Sequence, residues 1–467
     1  MIERLRPAPW AVLAAALLAS GCMSLAPRHE RPAPPVAERF AGDVEVPAGG
    51  PVASELAWQD FFGDERLRRL IGIALANNRD LRIAVLNIEQ ARAVHQIRRA
   101  DEWPTVGAGV SASRQPNTNR SVGGITSLYT VGLAVTAYEL DFFGRVRSLS
   151  DAALAQYLAT EEARKTAQMS LVASVATGYL NLLADDALLD VTRRALATRE
   201  ESLKLTKLKF DHGAASEIDF RQAESLVESA RVALAQQTRQ RALDQNALVL
   251  LLGQPLPADL PPGLPAADQR LAAELPAGLP SEVLIRRPDV RAAEQQLIAA
   301  NANIGAARAA FFPRISLTGS VGTASSELDG LFKSGSLAWS VAPQALLPIF
   351  DAGRNRANLE VAQVNRKIAV VQYERAIQSA FREVSDALAG RATLGEQLRA
   401  QQAQTRAEEA RFRLADLRYR NGVASYLDVL DAQRALFASQ QALVQTQALQ
   451  AQNLVTLYRV LGGGWGP

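Results

Sequence analysis

The sequence is poor in residues that build metal centres and covalent cross-links. Among 467 residues there are one cysteine, Cys22, and three histidines, His29, His95 and His212. One cysteine cannot form an internal disulfide, and three widely separated histidines offer no zinc-type spacing. We find no nucleophile elbow, no phosphate-binding loop and no histidine near a candidate nucleophile. The sequence therefore predicts no catalytic residues, no metal site and no enzymatic activity.

An excess of one charge and long apolar runs are also missing. The 51 basic residues nearly balance the 48 acidic ones, which leaves a formal net charge of +3. No basic cluster with interleaved aromatic residues is present, so we expect no nucleic-acid partner. Beyond the N-terminus we find no apolar run of about 20 residues, the length that a membrane helix needs. Any membrane crossing is therefore expected to use strands.

The N-terminus has the features of a lipoprotein signal peptide. Two arginines precede a short apolar run from Trp10 to Ala19, and small residues then lead to Cys22. We predict that residues 1–21 are removed and that Cys22 carries N-acyl and S-diacylglycerol lipid, with no other cofactor. An aspartate after the cysteine would favour the inner membrane; Met23 instead indicates the outer membrane. The alternative is an ordinary secretory signal followed by a chance cysteine.

The remainder of the chain contains a duplication. Four landmarks recur at one spacing, the repeat offset, since 313−104, 353−144, 422−213 and 462−253 all equal 209. The pairs are Pro104 and Pro313, Gly144 and Gly353, Gly213 and Gly422, and Gly253 and Gly462. We infer two structurally equivalent halves, 61–254 and 281–467. They are joined by a linker, 255–280, with seven prolines, and preceded by an extended segment, 22–60.

Each half has the same predicted order of elements: helix, strand, loop, strand and two long helices. The predicted first helices are Asp80–Arg99 and Asp289–Ala310, each ended by a proline. Period-two alternation predicts strands at Val131–Thr136, Ile315–Val321 and Leu337–Ala345, with loops at Asn117–Ser127 and Thr323–Ser336. A stretch rich in good helix formers predicts one helix over Arg145–Asp211, about 100 Å long at 1.5 Å per residue. Returning helices are predicted from Glu217 and Leu427.

These elements predict a pipe. The chain supplies four strands, whereas the smallest single-chain membrane barrels use about eight, so it must oligomerise to close a barrel. Small residues on one strand face, such as Ser316, Thr318, Ser320 and Gly322, suit a polar lumen. The fold class is α+β: long helical hairpins with four membrane strands per chain. A periplasmic coiled-coil scaffold lipoprotein without a channel is the alternative.

The sequence resembles the TolC-type outer-membrane efflux ducts, and within them the OprM-like (NodT-type) lipoproteins of resistance-nodulation-division pumps. The motifs that carry the resemblance are Leu140–Arg145, Leu279–Ser281, Arg286–Val290, Ile304–Pro313 and Leu430–Arg434. The resemblance implies a homotrimer with a twelve-stranded outer-membrane barrel and a periplasmic tunnel. It also implies a periplasmic adaptor and an inner-membrane pump as partners. Drugs or other small toxic compounds are the expected cargo, and metal ions are the alternative.

The resemblance also implies a gate at the periplasmic end. The matching positions are Leu427, Asp431 and Arg434, which the spacing i, i+4, i+7 places on one helix face. Three carboxylates in a narrow pore repel one another and need a cation or a basic partner nearby. Arg434, or Arg418 and Arg420 before the turn, are the expected sources. An ordinary surface pair of Asp431 and Arg434 is the alternative reading.

The two hairpin turns are the expected contacts for the adaptor. Gly213 and Gly422 are predicted to take left-handed turn conformations there, with Arg418 and Arg420 beside the second turn. In the first half, Ile218, Gln222 and Ser225 occupy the positions that correspond to Leu427, Asp431 and Arg434. We therefore predict walls that are equal in the two halves and a charged gate in the second half alone.

Overall fold

A computed structural model describes residues 24–40, 53, 55–116, 124–265, 268–272 and 285–466. The predicted signal peptide, Cys22 and the Leu279–Ser281 motif lie outside these residues. The described helices are α1 Trp58–Phe61, α2 Glu65–Asn77, α3 Arg79–Ala100, α4 Arg145–Asp211, α5 Glu217–Leu252, α6 Pro288–Ala309, α7 Arg354–Arg420 and α8 Tyr426–Val460. The described strands are β1 Val106–Pro116, β2 Ile125–Leu140, β3 Arg314–Ser325 and β4 Leu337–Leu346.

The helices of the two halves correspond in length and position. Helices α4 and α7 each contain 67 residues, and their first residues, Arg145 and Arg354, are separated by the repeat offset. The prediction of one unbroken helix over Arg145–Asp211 is confirmed, since neither proline nor a helix-ending turn interrupts it. Helices α3 and α6 have 22 residues each, and α5 and α8 have 36 and 35.

Helix α4 is more apolar than the absence of a long apolar run suggested. By length and composition alone, an 18-residue window of this helix could cross a membrane. Half of that window is buried inside the described structure. Leu171, Val175 and Tyr179 of this helix lie in a hydrophobic core, which explains the apolar composition by packing.

The strands are longer than the alternation predicted. The predicted loop Asn117–Ser127 is too long, because β2 already begins at Ile125, which pairs with Pro116. The predicted loop Thr323–Ser336 likewise begins too early, because β3 continues to Ser325. Backbone pairing with the neighbouring strand extends both strands, and a single-strand hydropathy pattern contains no information about that pairing.

The chain forms two compact units, and each draws on both halves of the sequence. The first consists of the described residues within 1–33, 87–161 and 292–374, and it contains the four described strands. The second consists of the described residues within 34–86, 162–291 and 375–467. In the second unit a core forms around the stacked rings of Phe61 and Tyr458, whose centroids are 4.1 Å apart.

Asp64 attaches part of the proline-rich linker to this core. Its side chain is buried and caps the start of α2 by accepting from the backbone N–H of Arg66 at 2.8 Å. It also accepts from the Tyr179 hydroxyl at 3.0 Å, the Leu264 N–H at 3.1 Å and the Gln269 side-chain amide at 3.0 Å. The described linker residues therefore pack on the second unit.

In both halves a side chain at the start of one helix donates to a carbonyl near the end of another, but the donor residue differs. The Asn78 side chain, at the start of α3, donates to the Leu251 carbonyl near the end of α5 at 2.9 Å. At the equivalent positions of the second half, Arg287 donates to the Val460 carbonyl at 3.0 Å. Arg287 is 4% exposed and also bonds Asp289 and Glu383. Each contact satisfies a carbonyl that the helix end leaves unpaired.

In the first unit, the N-terminal segment lies along α6. Arg31 forms a two-bond ion pair with Glu294, at 2.7 and 2.9 Å. The Arg308 side chain donates to the Leu25 carbonyl at 3.1 Å. A Cβ added at Gly305 would come within 2.9 Å of Ala26, which gives a packing reason for glycine at this point of α6.

Candidate functional site: the sheet and the hairpin ends

The four strands form one antiparallel sheet in chain order, β1-β2-β3-β4. Strands β1 and β4 therefore lie at the edges, and every residue in both is exposed. The edge strands leave a row of backbone donors and acceptors unpaired within the described chain, which makes the sheet a template for further strands.

The two faces of the sheet differ in chemistry. Residues directly opposite each other point to the same face. On one face the central rows contain only small or hydroxyl side chains: Gly107, Ala134, Ser320, Ser340, and Gly109, Gly132, Gly322, Ala338. On the other face the intervening rows are mostly apolar: Ala108, Leu133, Val321, Trp339, and Val110, Val131, Thr323, Leu337. The predicted alternation between a polar and an apolar face is confirmed.

Hydroxyl pairs and glycines define the polar face. The Ser111 and Thr130 hydroxyls are 2.7 Å apart, and those of Ser320 and Ser340 are 2.8 Å apart. A Cβ at Gly322 would lie 2.2 Å from the Val131 carbonyl oxygen, so only glycine fits there without displacing the backbone. Hydropathy patterns did not reveal this row of glycines, because Gly109, Gly132 and Gly322 become neighbours only when three strands pair in register.

A bulge and an ion cluster end the sheet where α4 begins. The register shifts between Val135 and Tyr138, and Ala137 takes a positive φ of 52°. Glu139 then accepts two bonds from Arg145, at 2.8 and 2.7 Å, and pairs with Arg314 at 2.6 Å. One nearly buried carboxylate thus joins β2 to the start of α4 and to β3.

The two hairpin ends have the same backbone structure. Gly213 and Gly422 have φ values of +72° and +73°, which confirms the predicted left-handed turns. The Ala214 N–H donates to the Lys209 carbonyl at 2.7 Å, and the Val423 N–H donates to the Arg418 carbonyl at 2.9 Å. These bonds form the Schellman closure of each helix, at equivalent positions of the two halves.

The next helix begins in the same way in both ends. Ser216 caps α5 by accepting from the Asp219 N–H at 3.1 Å. Ser425 caps α8 by accepting from the Asp428 N–H at 3.4 Å. In both, the aspartate lies in the first turn, where a negative charge is favourable. The side chains Tyr419 and Tyr426 pack with Ala223 and Leu226, so the two ends share one small apolar cluster in the second unit.

The predicted gate residues lie on one exposed face of α8. Leu427 is 59% exposed, and Asp431 and Arg434 are exposed, whereas Val429 and Leu430 on the opposite face are buried. The prediction of a shared face is therefore confirmed. The gating role itself stays a prediction.

The cation that neutralises Asp431 is a different one from those predicted. Asp431 pairs with Arg411 of α7, and Arg411 also bonds Glu408 at 3.3 Å. Hydrogen bonding to Asp431 raises the pKa of Arg411. The expectation that Arg434, Arg418 or Arg420 supplies the charge is wrong within this chain, because α7 runs antiparallel to α8 and brings Arg411 opposite Asp431.

The other predicted arginines have different surroundings. Arg420 pairs with Asp416 of its own helix at 2.7 Å. Arg434 lies near Arg199 of α4, whose guanidinium is buried, 4.9 Å from the Phe437 ring centroid. Burial and the charge of Arg434 together lower the pKa of Arg199. A search among basic residues that are near Asp431 in sequence misses both Arg411 and Arg199. Pairing α7 with α8 as an antiparallel hairpin around the Gly422 turn would have placed Arg411 near Asp431.

Within the described ranges, no group of three or more histidine, cysteine, aspartate or glutamate side chains could hold a metal ion. The chemically distinctive features of the described residues are a two-faced sheet with open edges and a pair of matched hairpin ends.

Comparison with known proteins gives relatives along nearly the whole chain. The family described as "Outer membrane efflux protein" matches twice, at residues 70–254 and 279–463, and the two matches are separated by the repeat offset. The "Solvent efflux pump outer membrane protein SrpC" of Pseudomonas putida is 50% identical over 458 residues, covering 96% of this chain and 97% of that protein. The "Outer membrane protein OprJ" of Pseudomonas aeruginosa is 47% identical, covering 96% and 94%. The open-state crystal structure of the Neisseria gonorrhoeae MtrE outer membrane channel matches with a TM-score of 0.87 and 46% identity, covering 95% and 99%.

Proposed function

Because this chain belongs to the outer membrane efflux protein family, we propose that three copies assemble into a passive exit duct for small toxic organic compounds. The chain is an outer-membrane channel component of an efflux system, and its family consists of channels rather than enzymes. The single observation that carries the proposal is a four-stranded sheet with two open edges and two chemically different faces.

The open edges support closure by copies of the same chain. An unpaired strand edge is not tolerated in the hydrocarbon of a membrane, and four strands are too few to close alone. Pairing β4 of one copy with β1 of the next leaves no edge, and three copies supply twelve strands. The apolar rows would then face lipid and the row of serines and glycines would face the lumen.

An exposed seam on α7 supports the same assembly. Val361, Val364, Ile368 and Val371 are 45% to 61% exposed and recur at spacings of 3, 4 and 3, the pattern of a helix seam. The equivalent positions on α4 include Ala152, Ala155 and Ala159, which are buried. In the first unit α6 packs on α4, with Gly305 beside Ser148.

The duplication then assigns a partner to the seam. Helix α3 corresponds to α6, and α7 corresponds to α4, at the repeat offset. We therefore propose that the seam on α7 packs on α3 of a second copy. In this contact Gln96 would lie near Ala357, as Gly305 lies near Ser148 within one copy. Exposed apolar residues on α3, Val94 and Ile97, fit this assignment.

Cysteine cross-linking tests the assembly directly. Since Cys22 is the only native cysteine, the double variant Gln96→Cys and Ala357→Cys introduces one defined pair. Oxidation should give covalent trimers on denaturing gels, and each single variant serves as the control. Oxidised double variant that runs as monomer would contradict the proposed contact.

For the gate, we propose that Leu427 and Asp431 form the constriction at the periplasmic end and that Arg411 holds Asp431. Docking of a periplasmic adaptor at the two hairpin ends would dilate it, with a proton-driven inner-membrane pump supplying the energy. Three carboxylates close together repel one another, and three Arg411 side chains offset that repulsion. The chain itself carries out no chemistry on its cargo.

Planar-bilayer recordings test the channel and the gate together. The double variant Leu427→Ala and Asp431→Ala should conduct more than the wild type, because it removes three apolar and three charged side chains from the constriction. The matched control is Ile218→Ala with Gln222→Ala, the equivalent positions of the first half, which should conduct like the wild type. No conductance from the wild type and the gate variant would favour a scaffold without a channel, and equal increases in both double variants would overturn the gate assignment.

The cargo proposal comes from the relatives and from the sheet. Relatives are named for solvent, toluene and antibiotic efflux. The central rows of the polar face carry no charge, so they offer no filter that selects an ion. A deletion strain should become sensitive to solvents and antibiotics and should recover with the wild-type gene. Sensitivity to metal salts alone would favour the metal duct.

We also propose that Cys22 carries the lipid anchor. Replacing it (Cys22→Ala) should abolish incorporation of radiolabelled palmitate. Unchanged labelling would contradict the lipid assignment without touching the channel proposal.

A further inference from the structure

Helices α4 and α5 bring two aspartates together in the second unit, away from the gate and the sheet. Asp185 of α4 is 6% exposed, and no donor among the described residues hydrogen-bonds its Oδ2 atom. A buried carboxylate without a donor is strongly disfavoured in its charged form. The neighbouring side chains explain why no donor reaches it.

The cation and the amide nearby are already bound to other carboxylates. Arg241 of α5 donates to Asp186 at 2.5 Å and to Gln245 at 3.0 Å. Gln240 donates to Asp244 at 3.2 Å. Asp185 is left facing the carboxyl group of Asp244.

The third element packed here brings no charge. The segment of α8 that lies against α4 includes Val444 and Ala448, and Gln452 donates to Asn181 of α4 at 2.5 Å. From residue 435 to residue 458 the sequence of α8 contains no charged side chain. Among the residues that the structure describes, the charged groups that act on Asp185 are Asp186 of α4 and Arg241 and Asp244 of α5.

We propose that Asp185 and Asp244 hold one proton between them, in an acid–carboxylate hydrogen bond that joins α4 to α5 and is lost when that proton dissociates. The ligand of this site is the proton, and the bond gives the buried Oδ2 atom its missing partner. The proposal concerns one helical hairpin and does not depend on the proposed channel function.

The electrostatics agree with the geometry. Burial, then hydrogen bonding to Asp244, raises the pKa of Asp185 to about 7. The folded chain then binds more protons than the unfolded chain between about pH 4 and pH 7, so stability falls as the pH rises through that window. Opening exposes Asp185 to water and leaves it ionised, so the ratio of open to closed hairpin should rise about tenfold between about pH 6 and pH 8.

Hydrogen exchange measured by mass spectrometry on the purified full chain tests this. After correction for the intrinsic exchange rate, wild-type peptides over residues 180–190 and 240–250 should open about tenfold more at about pH 8 than at about pH 6. The variant Asp185→Asn keeps the side-chain shape and removes the titrating group. The opening of its hairpin should therefore be the same at both pH values. The control Asp190→Asn alters an exposed ion pair with Arg194 on the same helix and should behave like the wild type.

A second readout is made on the wild type, so its main result does not depend on how a variant folds. Infrared difference spectra of the wild type should show the carbonyl band of a protonated carboxyl group at about pH 6 that disappears by about pH 8. Asp185→Asn should lack that band. Absence of the band in the wild type, or equal pH dependence of exchange in the wild type and Asp185→Asn, would overturn the proposal.

Discussion

Replacing Arg287 with methionine removes a buried charge while it keeps most of the side-chain volume. Arg287 bonds Asp289 at 2.6 and 3.0 Å, Glu383 at 3.0 Å and the Val460 carbonyl at 3.0 Å. Breaking a buried ion pair by removing one partner costs about 3–5 kcal/mol. Asp289 and Glu383 are 34% and 29% exposed, so water can solvate the two carboxylates that lose their partner. We therefore expect a loss near the lower limit, about 3 kcal/mol.

The neighbouring residue provides a matched control. Arg286 pairs with Glu55 at 3.3 Å, but both side chains are exposed, and such pairs contribute about 0–1 kcal/mol. Arg286→Met changes the same chemistry one position away. Denaturant unfolding of the purified protein, followed by helical circular dichroism at equal protein concentration, measures both. Equal losses for Arg286→Met and Arg287→Met would refute the argument from burial.

Three glycine substitutions make further predictions. Gly322→Ala should prevent the sheet from forming and abolish heat-modifiable oligomers on gels, because its Cβ would lie 2.2 Å from a carbonyl oxygen. The control Gly319→Ala should leave the oligomers intact, because the atom nearest to its Cβ would be 3.6 Å away. Gly305→Val should release the N-terminal segment from α6 and speed its cleavage by added protease, and unchanged cleavage would contradict the packing reason given for this glycine. Gly422→Ala should lower stability by about 1 kcal/mol because of its positive φ, and a neutral effect in thermal unfolding would count against a strained turn.

The long helices could be predicted closely from the sequence, and the sheet less well. Helix α4 was predictable to the residue because proline is absent and helix formers dominate. The sheet depends on pairing between distant segments, such as Tyr129 with Ser325, and a local pattern contains no such information. The bulge at Ala137 and the row of glycines were missed for this reason.

The gate was partly predictable. Spacing alone placed Leu427, Asp431 and Arg434 on one helix face. The predicted partner of Asp431 is wrong because the sequence brings only neighbouring basic residues into consideration, whereas Arg411 comes close only after α7 and α8 pair. The orphan carboxylate of Asp185 was not predictable, since it depends on which donors Arg241 and Gln240 already satisfy.

The matched hairpin ends have a consequence for symmetry. Gly213 and Gly422 close backbone turns with nearly equal φ values, in different sequence surroundings. In the proposed trimer, three copies of two such ends give six similar backbone turns arranged with approximate sixfold symmetry. The side chains reduce this to threefold, since Asp431 and Arg434 correspond to Gln222 and Ser225. A partner that contacts only the backbone of these turns can therefore dock as a sixfold ring. A partner that recognises the side chains must dock as a threefold ring.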